Sequence, residues 1–454
     1  MSRFRPIARD NEFLFPPSVQ DWLPESHLAR YVVDVVEQLD LSALEEAYAG
    51  RGKQAYHPAM LLALLIYGYA TGAYSSRKIE RATYDSVAFR YIAANQHPDH
   101  DTIAHFRKRF GTEFQVVFLQ VLKIARENQL SKFGTVSLDG TKIRANASRH
   151  RALSYGRAEQ IEAQLKAEIK EMLALAEAAD NSEIPDGVDL PAEIQRREDR
   201  LAAIAAAKAE IEARARARAE HERLEYEEKL RKHAEKKARG AKRGQVPKPP
   251  RGPAPEAKDQ VNLTDPESRI MPVRGQAFDQ CYNAQAAVDT ESMLIVAVGV
   301  TDCANDKRQV KPMLETLASQ GEDGPERLLA DTGYYSEQNV RACEAAGIEA
   351  LIAVGRQDHH PNWRDRFTEP ESPGEDATPA QLMAYRLRTL AGRALYGLRK
   401  HTVEPVFGVM KSVMGFRQFS VRGLVRVNEE WNLASVAWNV KRMGAMQGWS
   451  VRWT

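Results

Sequence analysis

Between two stretches with strand periodicity, the chain carries a long helical tract that no compact sheet can absorb. Residues 156–243 are dominated by Ala, Glu, Arg and Lys. Before them, Val136 and Leu138 alternate with Thr135, Ser137 and Asp139, the period-two signature of a strand with one apolar and one polar face. After them, Tyr282–Asp289 and Leu294–Thr301 read as two strands joined by a short polar turn. A first strand is thus parted from its sheet by an inserted helical hairpin. Leu165, Ile169, Met172, Leu173 and Ala176 mark one helical stripe, and Ile194, Leu201, Ile204 and Ile211 mark another. The break is expected over Asp180–Pro191. A helix over 191–239 would be on the order of 70 Å long, with a solvated outer half. From Lys229 to Arg251 there are ten basic residues and one acid, ending in a Gly- and Pro-rich basic linker through Gly240 and Gly244. Such one-sided charge favours phosphate contact over a merely solubilising face.

The flanking regions complete an α/β reading. Residues 1–130 read as helices. Leu28, Tyr31, Val32, Val35 and Val36 form one stripe, and His57–Ala70 is strongly apolar and closed by Gly72. Thr102–Phe110 carries Arg107, Lys108 and Arg109 at its far end. Short helices with tight turns suit a helix-turn-helix bundle or an all-α packing domain. Beyond the hairpin, Val310–Ala318 reads as a helix and Arg327–Ala330 as a strand leading to Asp331. A helix capped by Ser336, a strand at Glu349–Val354, a polar loop over 356–377 and helices from Thr378 follow, with an irregular stretch near Gly415–Gly423. Strands and helices in the order β, β, β, α, β, α, β, α give a mixed sheet, its first three strands antiparallel.

Formal charge is only +2, from 64 Lys and Arg against 62 Asp and Glu, so nucleic-acid binding has to come from local patches. Mean hydropathy is −0.49, and no apolar run approaches the roughly 20 residues of a membrane span. The N-terminus lacks the apolar stretch of a signal peptide, which points to the cytoplasm, and no membrane partner is expected. Cys281, Cys303 and Cys343 are too few and too scattered for a disulfide framework or zinc ribbon. His97, His100 and His105 lack a second ligand pair, and His359–His360 reads as a solvated loop. Trp431 and Trp438 lie seven apart on an apolar helix and read as core.

Asp139 and Asp331 stand at expected strand ends, where α/β sheets gather ligands. Two carboxylates brought together repel unless a cation lies between them, and hard oxygen donors suit Mg²⁺ or Mn²⁺. Glu404 is the only acid between Thr378 and Val427, among nine basic residues. On a helix, Glu404 and Lys411 lie two turns apart on one face, so Lys411 could hold a phosphate. Pro405 places Glu404 in a first turn, with Thr402 as its N-cap. Asp279, Asp289, Asp302 and Asp306 lie near strand ends too and are plausible ligands on chemistry alone.

The segments SLDGTKIRANAS (137–148), YNAQAAVD (282–289), LLADTGYYS (328–336) and YGLRKHTVEPVFGVMK (396–411) resemble those of bacterial insertion-sequence transposases of the DDE type. The last resembles the family's Tyr-x2-Arg-x3-Glu-x6-Lys signature through Tyr396, Arg399, Glu404 and Lys411. Arg399 stands one residue further from Glu404 than the signature has it, and Lys400 keeps the x3 spacing. PPSVQDWLPESHLARYVVDVVEQLDL and AANQHPDHDTIAHFRKRF resemble the helical domain that precedes such cores.

The resemblance implies a ribonuclease-H-like mixed sheet core with an N-terminal all-α domain and a long helical-hairpin insertion. The expected parts are a DNA-binding domain over 1–130, the first core strand over 131–155, a basic insertion over 156–250 and the rest of the core over 251–454. It implies that Asp139, Asp331 and Glu404 hold Mg²⁺ or Mn²⁺. The partners would be double-stranded DNA, both the terminal inverted repeats of the mobile element and the target, with a homodimer pairing two ends. Lys142, Arg144, Arg399, Lys400 and Lys411 would neutralise phosphates near the site, Tyr396 would contact the DNA end or pack, and Arg107, Lys108 and Arg109 would serve the N-terminal domain. A catalytically dead DNA-binding descendant and a metal-dependent nuclease on the same fold are the competing readings.

Overall fold

Apolar stripes at helical spacing put the first helices together. The computed structural model describes residues 18–48, 54–178, 189–238, 246–273, 278–319, 324–355, 368–374 and 376–448. Contacts divide the chain into two units, Met1–Arg144 with Tyr282–Thr454, and Ala145–Cys281. The first begins with α1 (Leu28–Glu37), α2 (Ser42–Glu46), α3 (Pro58–Thr71), α4 (Ser76–Asp85), α5 (Val87–Ile92), α6 (His100–Arg109) and α7 (Glu113–Glu127). The α1 stripe is buried along its length, and α3 is buried nearly all round. Helix α3 starts on Pro58, where a missing N–H costs nothing, and stops at Gly72, whose φ of +87° only glycine adopts freely.

Strand β1 (Thr135–Arg144) follows. The chain then enters the second unit through β2 (Ala152–Ser154), α8 (Tyr155–Ala178), α9 (Leu190–Ala238), β3 (Gln260–Asn262) and β4 (Arg269–Met271). The two helices form the expected hairpin. Its break lies largely outside the described residues, as do Gly240 and Gly244 of the basic linker. Leu165, Ile204, Ala207 and Ile211 pack with Leu153 and Val261 from the small β2–β3 ladder. Beyond Ala215 no described α9 residue is buried, while Leu173 and Leu224 are exposed, so the apolar stripe ends where the packing partner ends. The insertion, expected over 156–250, groups with residues on both sides of it. Arg218 binds the Asp259 carboxylate at 2.9 Å, and Arg214 donates to the Gln260 carbonyl at 3.4 Å.

The first unit resumes with β5 (Asp279–Asp289), β6 (Ile295–Thr301), α10 (Val310–Ala318), β7 (Arg327–Ala330), α11 (Glu337–Ala345), β8 (Glu349–Ile352), α12 (Pro379–Arg388), α13 (Leu390–Gly397), α14 (Val403–Ser412) and α15 (Leu424–Met446). Most of the 356–377 loop, with His359 and His360, lies outside the described residues. In the first unit the strands lie in the order β6-β5-β1-β7-β8, and β4 pairs antiparallel with Asp279–Cys281 at the start of β5. Strands β5 and β6 pair antiparallel, whereas β1, β7 and β8 run parallel. This is the mixed sheet of a ribonuclease-H-like core. Parallel neighbours need crossovers, and α11 supplies the one between β7 and β8.

Helix α15 is the hub of the unit, packing against α1, α3, α7 and β6. Trp431 and Trp438 are core residues whose indoles donate to the carbonyls of Gln285 and Met293, both at 2.9 Å. Asn439 accepts from the Ile295 N–H and donates to the Ile295 carbonyl, both at 2.8 Å, closing the start of β6. No single helix among the described residues is long and apolar enough to cross a membrane.

Two helices are capped by histidine. His27 Nδ1 accepts from the Ala29 N–H at 3.0 Å, and His57 Nδ1 from Ala59 at 3.2 Å. An imidazolium has no acceptor, so the cap exists only in the neutral form. Burial, and the Arg30 charge after it, lower the His27 pKa. A lowered pKa gives stability that is present above the unfolded value near 6.5 and lost as pH falls through the folded one. Replacing His27 with Asn, a cap that does not titrate, should remove about 1 kcal/mol of this acid sensitivity. Melting curves of both proteins at pH 7.5 and 5.5 check it: the variant's relative stability should rise on acidification, and a constant offset refutes the account.

Candidate active site

Asp139 lies inside β1 rather than at its end, which corrects the expectation from sequence. The strand continues because the C-terminal segment grips its second half. Lys411 Nζ donates to Thr141 Oγ1 and to the Lys142 carbonyl at 2.9 Å. The Arg144 N–H donates to the Arg417 carbonyl at 3.2 Å, and the Phe419 N–H to the Arg144 carbonyl at 2.9 Å.

The parallel register pairs Leu138 with Ala330, so Asp139, continuing β1, and Asp331, just past the end of β7, each follow a paired residue. Asp331 Oδ1 accepts from the Gly333 N–H at 2.8 Å, capping a 3-10 turn at Thr332–Tyr334. Asp139 Oδ1 accepts from the Gly140 N–H at 2.8 Å. Glu404 stands in the first turn of α14 with Thr402 as N-cap, and its side chain is 55% exposed. Arg399, on the 3-10 turn Leu398–His401, links the two elements: its guanidinium lies 3.2 Å from Asp139 Oδ2 and 3.5 Å from Glu404 Oε1. Tyr396 is half-buried beside Arg399, its pKa raised by burial. Of the signature residues, Arg399 reaches Asp139 and also Glu404, Tyr396 lies beside Arg399, and Lys400 is exposed.

Burial first, and then the charges of Asp331 and Asp306, push Asp139 up to about 6 against the opposing pull of Arg399 and the Gly140 N–H. That is the response of a carboxylate taken out of water, to which neighbouring carboxylates add. Among the described residues no three acidic, imidazole or thiol groups converge closely enough to hold an ion as they stand. The chemistry of the donors still fits Mg²⁺ or Mn²⁺: hard carboxylate oxygens, mutually repelling, with a guanidinium spanning two of them.

Asp306 was one of several carboxylates that sequence could not rank. It starts a 3-10 turn after β6, and its Oδ1 accepts from Asn283 Nδ2 at 2.6 Å and Gln285 Nε2 at 2.8 Å. Lys142 Nζ is 3.5 Å from the same oxygen. The signal for this group is the pair Asn283 and Gln285, polar residues at alternate positions of a fully buried strand.

Several expected phosphate contacts have other partners. Lys411 binds β1 and Lys142 pairs with Asp306. Arg107 donates to Tyr69 Oη at 3.2 Å and to the Tyr74 carbonyl at 3.1 Å. Tyr69 in turn donates to Glu430 at 2.7 Å, and Glu430 is 2% exposed. Arg107 thus joins a buried network through Tyr69. Arg109 packs over the Tyr48 ring at 5.1 Å, and Lys108 is exposed.

Comparison with known families follows the same outline. Residues 17–109 match the family described as Transposase domain (DUF772), and residues 257–440 the family described as Transposase DDE domain. Asp306, Asp331 and Glu404 fall within the second match, and Asp139 lies between the two. No curated protein and no solved structure matches the chain.

Two outcomes follow. A carboxyl raised from 3.8 to about 6 favours the fold below pH 4, and that contribution is lost as pH rises through 6. In EDTA, Asp139→Asn should therefore stabilise the protein by roughly 2–3 kcal/mol at pH 8 and by little at pH 4. Denaturant titrations at the two pH values measure this, and equal effects at both refute it. Arg107→Met should cost about 1–3 kcal/mol by leaving the Tyr74 carbonyl and the Tyr69 hydroxyl without this charged donor. It should leave the salt dependence of DNA binding unchanged, whereas a lost phosphate contact would flatten the slope by about 0.9.

Proposed function

The chain belongs to the transposases of the DDE type, and on that premise we propose that it binds the terminal inverted repeats of an insertion sequence, cleaves at the element's ends and joins the freed 3′-hydroxyls to target DNA. The observation that carries this reading is Asp139 in β1 and Asp331 just past the end of β7, each following the paired residues Leu138 and Ala330, with Glu404 joined to Asp139 through Arg399.

Asp139, Asp331 and Glu404 would hold divalent ions, Mg²⁺ or Mn²⁺. The chemistry such ions supply when bound is a more acidic water or 3′-hydroxyl and relief of negative charge on the leaving oxygen of an in-line displacement. The chain's own residues set the stage. Lys411 pins β1 just beyond Asp139 and so fixes that carboxylate relative to α14. Asp331 is oriented by its own capping bond, which leaves its second oxygen for a ligand. Arg399 neutralises Asp139 and Glu404, and its planar guanidinium suits a phosphate as well as a carboxylate. In the working complex it would turn from these acids to the DNA backbone. Tyr396, packed beside it, would limit where that guanidinium can go. Exposed Lys400 and Lys108 remain available for backbone contact. Two DNA ends have to be handled together, which favours a homodimer.

The test is Mg²⁺-dependent cleavage of DNA carrying the repeats that flank the reading frame. Asp139→Asn and Glu404→Gln should each abolish cleavage and strand joining while gel-shift binding to the same DNA stays at the wild-type level. Undiminished cleavage by either variant removes that residue from the site. Binding without cleavage in the wild type would favour the inactive descendant, and cleavage without joining the nuclease.

A further inference from the structure

We propose that Asp306 belongs to the working site: it lends its own negative charge to the divalent ion, and Lys142, paired with it, tempers that charge. The inference rests on the reading that Asp139 and Asp331 hold such an ion, and concerns a residue which that reading does not use.

Three observations carry it. First, Asp306 is fixed as few half-exposed carboxylates are. Two carboxamides and an ammonium all meet its Oδ1, while Oδ2 has no protein donor among the described residues. Donors arranged this way orient a carboxylate so that one oxygen faces outward. Second, the backbone has been cleared to let this group in. A Cβ on Gly140, the residue after Asp139, would stand 2.6 Å from Asp306 Oδ1 and 2.8 Å from Asn283 Oδ1, and closer still to Gln285 Nε2. A side chain at residue 140 would have to push these three polar ends out of their present arrangement. Third, Asn283 is fully buried, and its Oδ1 has no hydrogen-bond partner. Its amide has been turned so that the donor end serves Asp306 and the Cys303 carbonyl, at 3.0 Å, at the cost of an orphaned acceptor. A buried acceptor left unpaired is expensive, and such groups persist where a site needs the geometry.

The electrostatics give the direction of the effect. Asp139, Asp306, Asp331 and Glu404 set against Lys142 and Arg399 leave the site doubly negative, the complement of one divalent ion. Neutralising Asp306 halves that charge and leaves the Lys142 ammonium unbalanced beside the site. Neutralising Lys142 instead makes the site more negative. Removing both restores the original balance.

Mn²⁺ binding to the full-length, EDTA-stripped protein, followed by calorimetry and by the electron paramagnetic resonance of free Mn²⁺, tests this without any cleavage reaction. Asp306→Asn should weaken binding about tenfold, the scale of an outer-shell carboxylate. Lys142→Met should tighten it, and the double variant should return close to wild type. Asp139→Asn serves as the reference. If it abolishes Mn²⁺ binding while Asp306→Asn binds as wild type, the role of Asp306 is refuted and the site stands. If Asp139→Asn itself leaves binding unchanged, the metal-site reading fails and this inference with it. Should Asp306→Asn not fold, Lys142→Met decides alone, since weaker or unchanged binding there contradicts the charge balance.

Discussion

Repulsion among carboxylates at the centre of the sheet is the constraint around which the first unit is organised. Asp139 is largely buried within a strand, beside two further aspartates, and its raised pKa records how little the surroundings favour its charge. Two cations answer it from opposite ends. Arg399 comes from the C-terminal helices and spans Asp139 and Glu404. Lys142 comes from β1 itself and takes Asp306. A site arranged in this way is held together by charges that a ligand could displace: on the proposed reading a divalent ion would take the place of the guanidinium between acids, and a phosphate that of the acids around the guanidinium. Stability and function therefore compete at the same atoms, the usual situation at a site that has to exchange partners.

Such a balance requires a rigid frame, and the frame is polar as well as apolar. Glu430, buried in α15, accepts from Tyr69 on α3 and from the backbone of Ser420 and Val421. Arg107 on α6 completes the network through Tyr69. The segment that holds Ser420 also supplies the Arg417 carbonyl and Phe419 N–H that clamp Arg144. An unbroken set of bonds thus runs from the N-terminal helices through α15 to the strand that carries Asp139. This explains why the N-terminal helices and the sheet form one unit rather than two. A buried carboxylate tolerates no loose partner, so each element it touches is fixed relative to the others.

Periodicity revealed most of the elements. Val310–Ala318 and Arg327–Ala330 have the bounds their patterns imply, because each is short, strongly patterned and bounded by turn residues. Thr378 caps α12 with Pro379 in the first turn, as the capping chemistry requires. The end of β1 was not legible, since nothing local in Gly140–Arg144 announces the distant Lys411, Arg417 and Phe419 that extend it. The roles of Lys142, Lys411 and Arg107 were obscured for the same reason. A basic residue near a site reads as a phosphate contact until its partners are known, and here those partners lie more than a hundred residues away for two of the three. Asp306 was one acid among several by spacing, and only the convergence of Asn283 and Gln285 on it sets it apart.

The departure at Arg399 shows what spacing can and cannot say. Counting residues back from Glu404 assumes one continuous helix, and on that count Lys400 holds the expected place. The chain breaks the assumption at Thr402, whose φ of −115° and ψ of −80° separate the Leu398–His401 turn from α14. The break resets the helical phase, so a residue five positions before Glu404 reaches it, while the one four before points to solvent. Thr402 pays back part of the interruption by donating its hydroxyl to the Leu398 carbonyl at 2.6 Å. Pro405 reinforces the same break, because its ring excludes a helix that runs on through residue 401. The extra residue in the signature and the proline after the glutamate are then two parts of one device. Together they move the guanidinium from helical register into contact with both Asp139 and Glu404, a placement that the regular spacing on an unbroken helix would not provide.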